Sequence, residues 1–321
     1  MKKQQKKAII LQHNGRGQMA NQLWNFISIY AYSLEKGYKC RNYSFFEYSK
    51  YFNIPVGNWF INLKFFVNFN IVEKIFGFKK TQDLWRKIYK LFIVLPFEKI
   101  FENKIVFWSN SADKDGTYHL PPSKPSSGKL LELENSNSNV IYFHSWLFRN
   151  PEGITKYRKE ILEYFKPKEK YTRPVETKIK ELKNQYKNII GVHIRQKDYK
   201  KFRDGRYFVP QERINEILGE YLIEKKKDSK ETIFIITSDG PVKENIYSNL
   251  NIEISKYNPI EDLYLLSLCD VVIGSNSTYG NFASYYGNNP HIVFQKEKID
   301  WEYYKEKNKY FENKYCTIVQ Y

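Results

Sequence analysis

Cysteine is scarce: Cys40, Cys269 and Cys316 lie far apart, with no C-x-x-C pair. Three such residues cannot staple a secreted disulfide scaffold, and a reducing, intracellular compartment is expected. Long apolar runs are also missing. The richest window, Trp59 to Phe78, is interrupted by Asn62, Lys64, Asn68, Asn70, Glu73 and Lys74, so nothing approaches the ~18 uninterrupted apolar residues of a membrane span. The start is basic, but its apolar run covers only Ala8 to Leu11, below the roughly 7–15 residues of a signal-peptide core, and secretion is not expected. No Walker sequence ending in GK[ST] occurs, and the histidines and cysteines show no metal-ligand spacing. Acidic residues are in deficit, 35 against 52 Lys and Arg, a net charge of +17. That surplus fits nucleic acid, an anionic membrane surface or an anionic substrate. The alternative is a joint bias toward Lys, Asn, Ile, Tyr and Phe, under which most of the lysines carry no function.

What is present begins with size. The 321 residues, 42% hydrophobic, supply a core for one large domain or two and exclude intrinsic disorder. Ala8 to Gln12 reads as a buried strand, followed by a loop with Gly15 and Gly17. A helix then shows one face through Leu23, Ile27, Tyr30, Ala31 and Leu34 and ends at Gly37. Residues 42–108 read as aromatic, lysine-rich amphipathic helices, and 109–139, with PPSKPSSG and ENSNSN, as loop or hairpin turns. DKDG at 113–116 reads as a plain turn. Val140 to Phe143 is strand-like, Ile154 to Phe165 helical, and the two prolines of 166–174 mark a candidate domain boundary before a helix over Val175 to Tyr186. Thereafter strands at Ile189–Ile194, Thr232–Thr237, Val271–Gly274 and His291–Phe294 alternate with helices at Gln211–Lys226, Ile260–Cys269 and Tyr279–Tyr286. This succession predicts a mostly parallel α/β sheet.

Ligands of open α/β sheets bind outside the carboxyl ends of the strands. Three polar clusters fall there: HIRQKDY (His193–Tyr199), TSDG (Thr237–Gly240) and GSNSTYGN (Gly274–Asn281). Ser275, Asn276, Ser277 and Thr278 open a helix whose N-terminus favours a phosphate, or simply cap it. Arg195 suits bidentate phosphate binding, or a salt bridge with Asp198. Asp239 suits a ribose or base hydrogen bond, or an Asp-Gly turn. His193 falls on the strand pattern, where a buried core histidine is the alternative. The Gly15/Gly17 loop departs from G-x-G-x-x-G because Ala20 takes the last position, so a dinucleotide reading is weak.

These segments resemble the bacterial alpha-1,2-fucosyltransferases of glycosyltransferase family 11. GQMANQLW matches their N-terminal signature through Gly17, Ala20, Asn21, Gln22, Leu23 and Trp24. HIRQKDY matches HxRRxDY through His193, Arg195, Asp198 and Tyr199, and DLYLLSLCDVVIGSNSTYGNFASYY matches the late helix and SNST loop. IYFHSW also looks like the family's segment before the domain boundary. The resemblance implies a GT-B fold, two Rossmann-like domains facing a central cleft. It divides the chain into an acceptor-side domain, residues 1–170, with a variable region at 42–139, and a GDP-sugar domain, residues 171–321. It implies inverting transfer of fucose from GDP-fucose to a glycan hydroxyl, with no metal or other cofactor. Arg195 and the helix after Ser275 would stabilise the leaving diphosphate. His193 and Asp239 would hold guanine or ribose, while Asn21, Gln22 and the Gly17 loop would close on the donor. Asp198 is the nominated general base, its alternative being to orient Arg195.

Two departures stand out: Gln196 and Lys197 replace the family's second arginine and the following glycine, and Gly280–Phe282 replaces SWW. They keep open another GDP-sugar donor or an alpha-1,6 linkage. Residues 42–108 are assigned to acceptor recognition or membrane-surface contact, or to ordinary helical core. The expected protein is a cytoplasmic, membrane-associated enzyme acting on a surface-polysaccharide precursor such as an O-antigen, its acceptor lipid-linked, with nucleic acid not expected as a partner. A basic nucleic-acid-binding protein and a sugar-nucleotide binder without turnover are the competing classes.

Overall fold

The computed structural model describes residues 5–12, 17–54, 69, 71–107, 118–120, 128–144, 148–305 and 313–317. Gly15 and the DKDG turn lie outside the described residues. The chain divides into two compact units, Met1–Lys166 and Pro167–Tyr321.

In the first unit β1 (Lys7–Gln12) leads to α1 (Met19–Glu35) and β2 (Lys39–Asn42). Gly37 ends α1 with φ +66, a conformation in which a side chain would be strained, as the helical spacing predicts. A parallel sheet forms in the order β2-β1-β5-β3, with β3 at Ile105–Phe107 and β5 at Val140–His144. Between β2 and β3 run a short helix over 71–76 (α2), then α3 (Phe78–Tyr89), a π-helical turn (Lys90–Val94) and α4 (Leu95–Phe101). Tyr89, Val94 and Ile105 pack there on Ile9, Leu11 and Tyr142. A small two-stranded sheet pairs β4 (Tyr118–His119) with β6 (Phe148–Arg149).

Part of the stretch expected to be loop is helical: α5 spans Gly128–Asn135 and buries Leu130 and Leu133, three residues apart on one face. The helix expected over 154–165 is two pieces, α6 (Pro151–Lys156) and α7 (Arg158–Tyr164). Asn150 caps α6 by accepting the Gly153 N–H at 3.0 Å, with Pro151 at the first helical position.

In the second unit α8 (Glu169–Lys183) starts before the expected Val175 and contains Pro174. The proline forfeits a single backbone bond, to the carbonyl four residues back, near the open end of the helix. The sheet follows: β7 (Asn188–Ile194), α9 (Gln211–Glu224), β8 (Thr232–Ser238), β9 (Ile252–Ile254), α10 (Pro259–Leu268), β10 (Val271–Gly274), α11 (Thr278–Gly287) and β11 (His291–Val293). Its order is β11-β10-β7-β8-β9, all parallel. This is the 3-2-1-4-5 arrangement of a doubly wound fold, and the strand order reverses between β7 and β10. Ile190, Val192 and Ile194 share a cluster with Ile214 and Ile217 of α9. Ile189, Ile233 and Ile235 instead pack with Val175, Ile179 and Leu265 of α8 and α10. The alternation therefore puts His193 on the same sheet face as Ile189.

Candidate active site

Because every strand of the second sheet is parallel, the carboxyl ends of β7, β8 and β10 share one edge, and the three polar clusters meet there. His193 pairs in register with Thr237 on one side and Gly274 on the other. A Cβ at Gly274 would stand 2.9 Å from the His193 carbonyl oxygen and 3.0 Å from its Cβ, so a glycine is needed for this approach.

The loops are cross-bonded. The Arg195 N–H donates to Ser275 Oγ at 2.9 Å, and the Tyr199 hydroxyl donates to the Asn276 carbonyl at 2.8 Å. Asp239 Oδ1 accepts the N–H groups of Gln196 at 2.6 Å and Lys197 at 3.3 Å. Arg195 grips Asp198 through two parallel bonds, Nε to Oδ1 at 2.9 Å and Nη2 to Oδ2 at 2.8 Å, while Asp239 Oδ2 lies 3.9 Å from its Nε. The Tyr199 ring lies 5.4 Å from the guanidinium carbon. Burial opposes the charge on Arg195, but the bond and charge of Asp198, with Tyr199 and Asp239, together outweigh it and the guanidinium pKa is raised. Burial likewise works to raise the Asp198 pKa, and Arg195 reverses this, holding the carboxyl below its usual range. Two parallel bonds are the geometry of a carboxylate that orients Arg195, the alternative named for Asp198 beside its nomination as general base.

Ser277 caps α11 by accepting the Tyr279 N–H at 3.2 Å, and Asn276 Nδ2 donates to Thr317 Oγ1 at 2.7 Å. Thr278 is the first residue of that helix. Asn276 also lines a cavity of about 400 Å³ with Arg206, Tyr207, Lys296, Lys298 and Lys314. Its size is that of a small-ligand site, and the cations suit an anion. Arg206, Lys296 and Lys298 carried no motif, and only their convergence in space reveals them.

Gln196 explains one departure from the family. It is 7% exposed, its Nε2 donates to Ser238 Oγ and the Pro241 carbonyl, both at 2.9 Å, and its Oε1 accepts from Gln211 at 3.0 Å. A neutral amide satisfied on both sides braces the β8 loop where a cation would be desolvated. The second departure lies away from any open surface, since Gly280, Asn281 and Phe282 are buried. Gly280 instead makes room for two histidines: a Cβ there would stand 3.3 Å from His291 Nε2 and 3.5 Å from His193 Cδ2.

His193 is buried and packs against Tyr279 with the rings tilted by 34° and their centroids 4.8 Å apart. Thr237 donates its hydroxyl proton to the Val192 carbonyl at 3.2 Å and so accepts from His193 Nδ1 at 3.4 Å. This assigns the proton to Nδ1 and leaves Nε2 a buried acceptor without a partner among the described residues. Burial, then the charges of Arg195 and His291, push the His193 pKa down to about 3, and burial pushes His291 down to about 4. Folded pKa values below the unfolded ~6.5 mean that the unfolded chain binds the extra protons, so this stability is present above about pH 6.5 and lost as pH falls toward 4. Asp262 acts in the opposite sense, because burial raises it to about 7. A difference measurement isolates one ring. Between pH 7 and pH 5, a His291→Gln variant is expected to lose about 2 kcal/mol less stability than the parent in urea unfolding, and parallel pH profiles would overturn the assignment.

In the first unit the structure gathers Gly17, Asn21 and Gln22. A Cβ at Gly17 would stand 2.7 Å from Asn21 Cβ, so the loop presses onto the first turn of α1. Gln22 is 3% exposed and donates to Glu47 Oε2 at 3.0 Å. Gln22 Nε2 also reaches the Gly17 carbonyl at 3.4 Å, so the side chain ties Gly17 to Glu47. Glu47, itself 2% exposed, also accepts from Gln82 at 2.8 Å and from Arg86 Nε and Nη2, and Arg86 Nη2 reaches the Gly17 carbonyl at 3.0 Å. Glu47, Gln82 and Arg86 belong to the stretch without motifs, where sequence carried no signal for them.

Among solved structures, a FUT1 variant of Arabidopsis thaliana in complex with GDP aligns with TM-score 0.53 at 10% identity, covering 92% of this chain and 72% of that one. POFUT1 in complex with GDP aligns with TM-score 0.51 at 13% identity, covering 91% of this chain and 98% of that one. The two parallel α/β units and these alignments define the fold as GT-B, the architecture expected from the sequence. Glycosyl transferase family 11 matches residues 124–318, more than half of the chain, and the protein belongs to that family. The N-terminal signature at Gly17 to Trp24 lies outside the matched span. No curated protein matches the chain by sequence.

Proposed function

We propose that the protein transfers L-fucose from GDP-fucose to a hydroxyl of a glycan acceptor, with inversion and without a metal, forming an alpha-1,2 linkage in a surface-polysaccharide precursor. One observation carries this reading: Arg195 is bonded within its own loop, touches the β10 loop and lies beside Asp239 of the β8 loop. As the sugar–phosphate bond breaks, negative charge grows on the diphosphate, and a guanidinium already fixed by Asp198 meets it without reorganising. The N-terminus of α11, with Ser277 and Thr278, adds its positive dipole end. The basic cavity beside Asn276 is assigned to the nucleotide diphosphate. His193 and Asp239, at the carboxyl ends of β7 and β8, are assigned to the ribose or base. Gly17, Asn21 and Gln22 are proposed as donor contacts.

Gln196 favours a second reading, transfer of another GDP-sugar or an alpha-1,6 linkage, because an amide stands where the family has a cation. The test is calorimetric titration with GDP, GDP-fucose and UDP in EDTA, followed by turnover on a galactose-terminated acceptor. Saturable binding of GDP and GDP-fucose but not UDP, with an alpha-1,2 product by NMR, is expected. An alpha-1,6 product would favour the second reading. No nucleotide binding by a folded sample, with steeply salt-dependent binding to generic DNA, would replace both with a nucleic-acid binder.

A further inference from the structure

The large apolar side chains exposed among the described residues are not scattered. Of eleven, eight lie between Ile71 and Ile100, including Ile75, Phe92 and Ile100 at 68%, 70% and 69% exposure. Scattered exposed leucines are ordinary, whereas a contiguous set marks an interaction surface.

This helical stretch already has its core face. Tyr89 and Val94 are buried, with Phe78, Trp85, Phe97 and Phe101 packed against the same cluster. A helix with one covered apolar side should be polar on the other. Here Leu84, Leu91 and Leu95 recur at spacings of seven and four along the outward side, all exposed. Lys80 and Lys87 fall within one turn of Leu84, and Lys99 lies four residues after Leu95. From 71 to 104, six exposed lysines (74, 79, 80, 87, 90 and 99) face two exposed carboxylates, Asp83 and Glu102. Glu73 is taken by Lys50, whereas Glu98 bonds His144, whose burial lowers its pKa and favours the neutral ring, so Glu98 stays a third negative charge against the six lysines.

We infer that the outward face of residues 71–100 docks on an anionic phospholipid surface. The apolar side chains enter the headgroup boundary while lysine stems reach outward and their ammonium groups pair with lipid phosphates. Charge complementarity selects this occupant. The adjoining residues 55–68 contain Lys64 and no carboxylate, so they offer the lysines no counter-charge, and a second copy would oppose lysine to lysine. Among the described residues no helix is long and apolar enough to cross a membrane, so the face lies on the surface rather than spanning it. The inference is independent of the donor and acceptor assigned above.

The test is vesicle co-sedimentation of the full chain with phosphatidylcholine alone and with phosphatidylglycerol mixed in. Wild type is expected to sediment with the mixed vesicles only, and less as salt rises. Lys79→Ala/Lys80→Ala/Lys87→Ala should weaken binding about 100-fold, and Leu84→Ser/Leu91→Ser/Phe92→Ser by at least about tenfold. Both variants should keep the parent circular dichroism and GDP affinity. Wild type remaining in the supernatant at low salt would overturn the inference. So would triple variants that bind like wild type, or serine substitutions that turn a dimer into a monomer without altering lipid binding.

Discussion

An Arg195→Ala enzyme is expected to lose about a thousandfold in kcat, with GDP still bound and the thermal midpoint little changed. The magnitude follows from removing one preorganised charge from a site where charge develops in the transition state, a loss of about 10²–10³ for a single donor. The fold should tolerate the change. The Arg195–Asp198 pair is partly exposed, with Asp198 at 53% side-chain exposure, and exposed ion pairs contribute little stability. The backbone bond to Ser275 survives any side-chain substitution. Arg195→Lys should recover only part of the rate, because an ammonium cannot hold Asp198 through two parallel bonds and still face a phosphate. Asp198→Asn separates orienting from base catalysis. An orienting carboxylate predicts a moderate fall in kcat and an unchanged pH–rate profile, whereas loss of the acid limb, where the base becomes protonated, would assign Asp198 as the base. Near-normal turnover of Arg195→Ala would remove Arg195 from the mechanism.

Arg86→Ala is expected to destabilise the first unit by about 3–5 kcal/mol, the cost of leaving a buried carboxylate without its cation. Glu47 is 2% exposed, and without Arg86 it keeps only the amides of Gln22 and Gln82. The Gly17 carbonyl also loses its Arg86 partner, so KM for the donor should rise more than kcat falls. Urea unfolding checks the first effect and initial rates the second. A Glu47→Gln/Arg86→Met double variant distinguishes charge from packing: it removes the unpaired charge and should regain most of the stability while the donor KM stays high. Equal losses in the single and double variants would show that packing dominates.

The parallel sheet of the second unit was legible because its central strands are unbroken apolar runs, such as Ile189–Ile194 and Thr232–Thr237, separated by helical periods. The short strands were not. Ile252–Ile254 and Lys39–Asn42 take their hydrogen bonds from neighbouring strands rather than announcing themselves by an apolar run. Residues 128–135 were hidden behind the proline- and serine-rich segment before them, although Leu130 and Leu133 hold a helical spacing. Within the site, the residue types and the sheet edge were readable, but their partnerships were not. That Arg195 occupies both oxygens of Asp198 is one such partnership, and spacing along the chain carries no information on it. Gln196 is similar: in sequence it is a missing cation, in space an amide bonded through both its nitrogen and its oxygen.

The stitching of the three loops at this sheet edge also constrains how the site can change. Ser275 answers to the backbone of Arg195, Asn276 to the hydroxyl of Tyr199, and Asp239 to the backbone of Gln196 and Lys197. A loop grafted alone from a relative with a different donor would arrive without the acceptors its new neighbours require, and buried groups left without partners are costly. Loop exchange intended to retune donor choice should therefore succeed only when all three segments are carried over together, as one inherited unit.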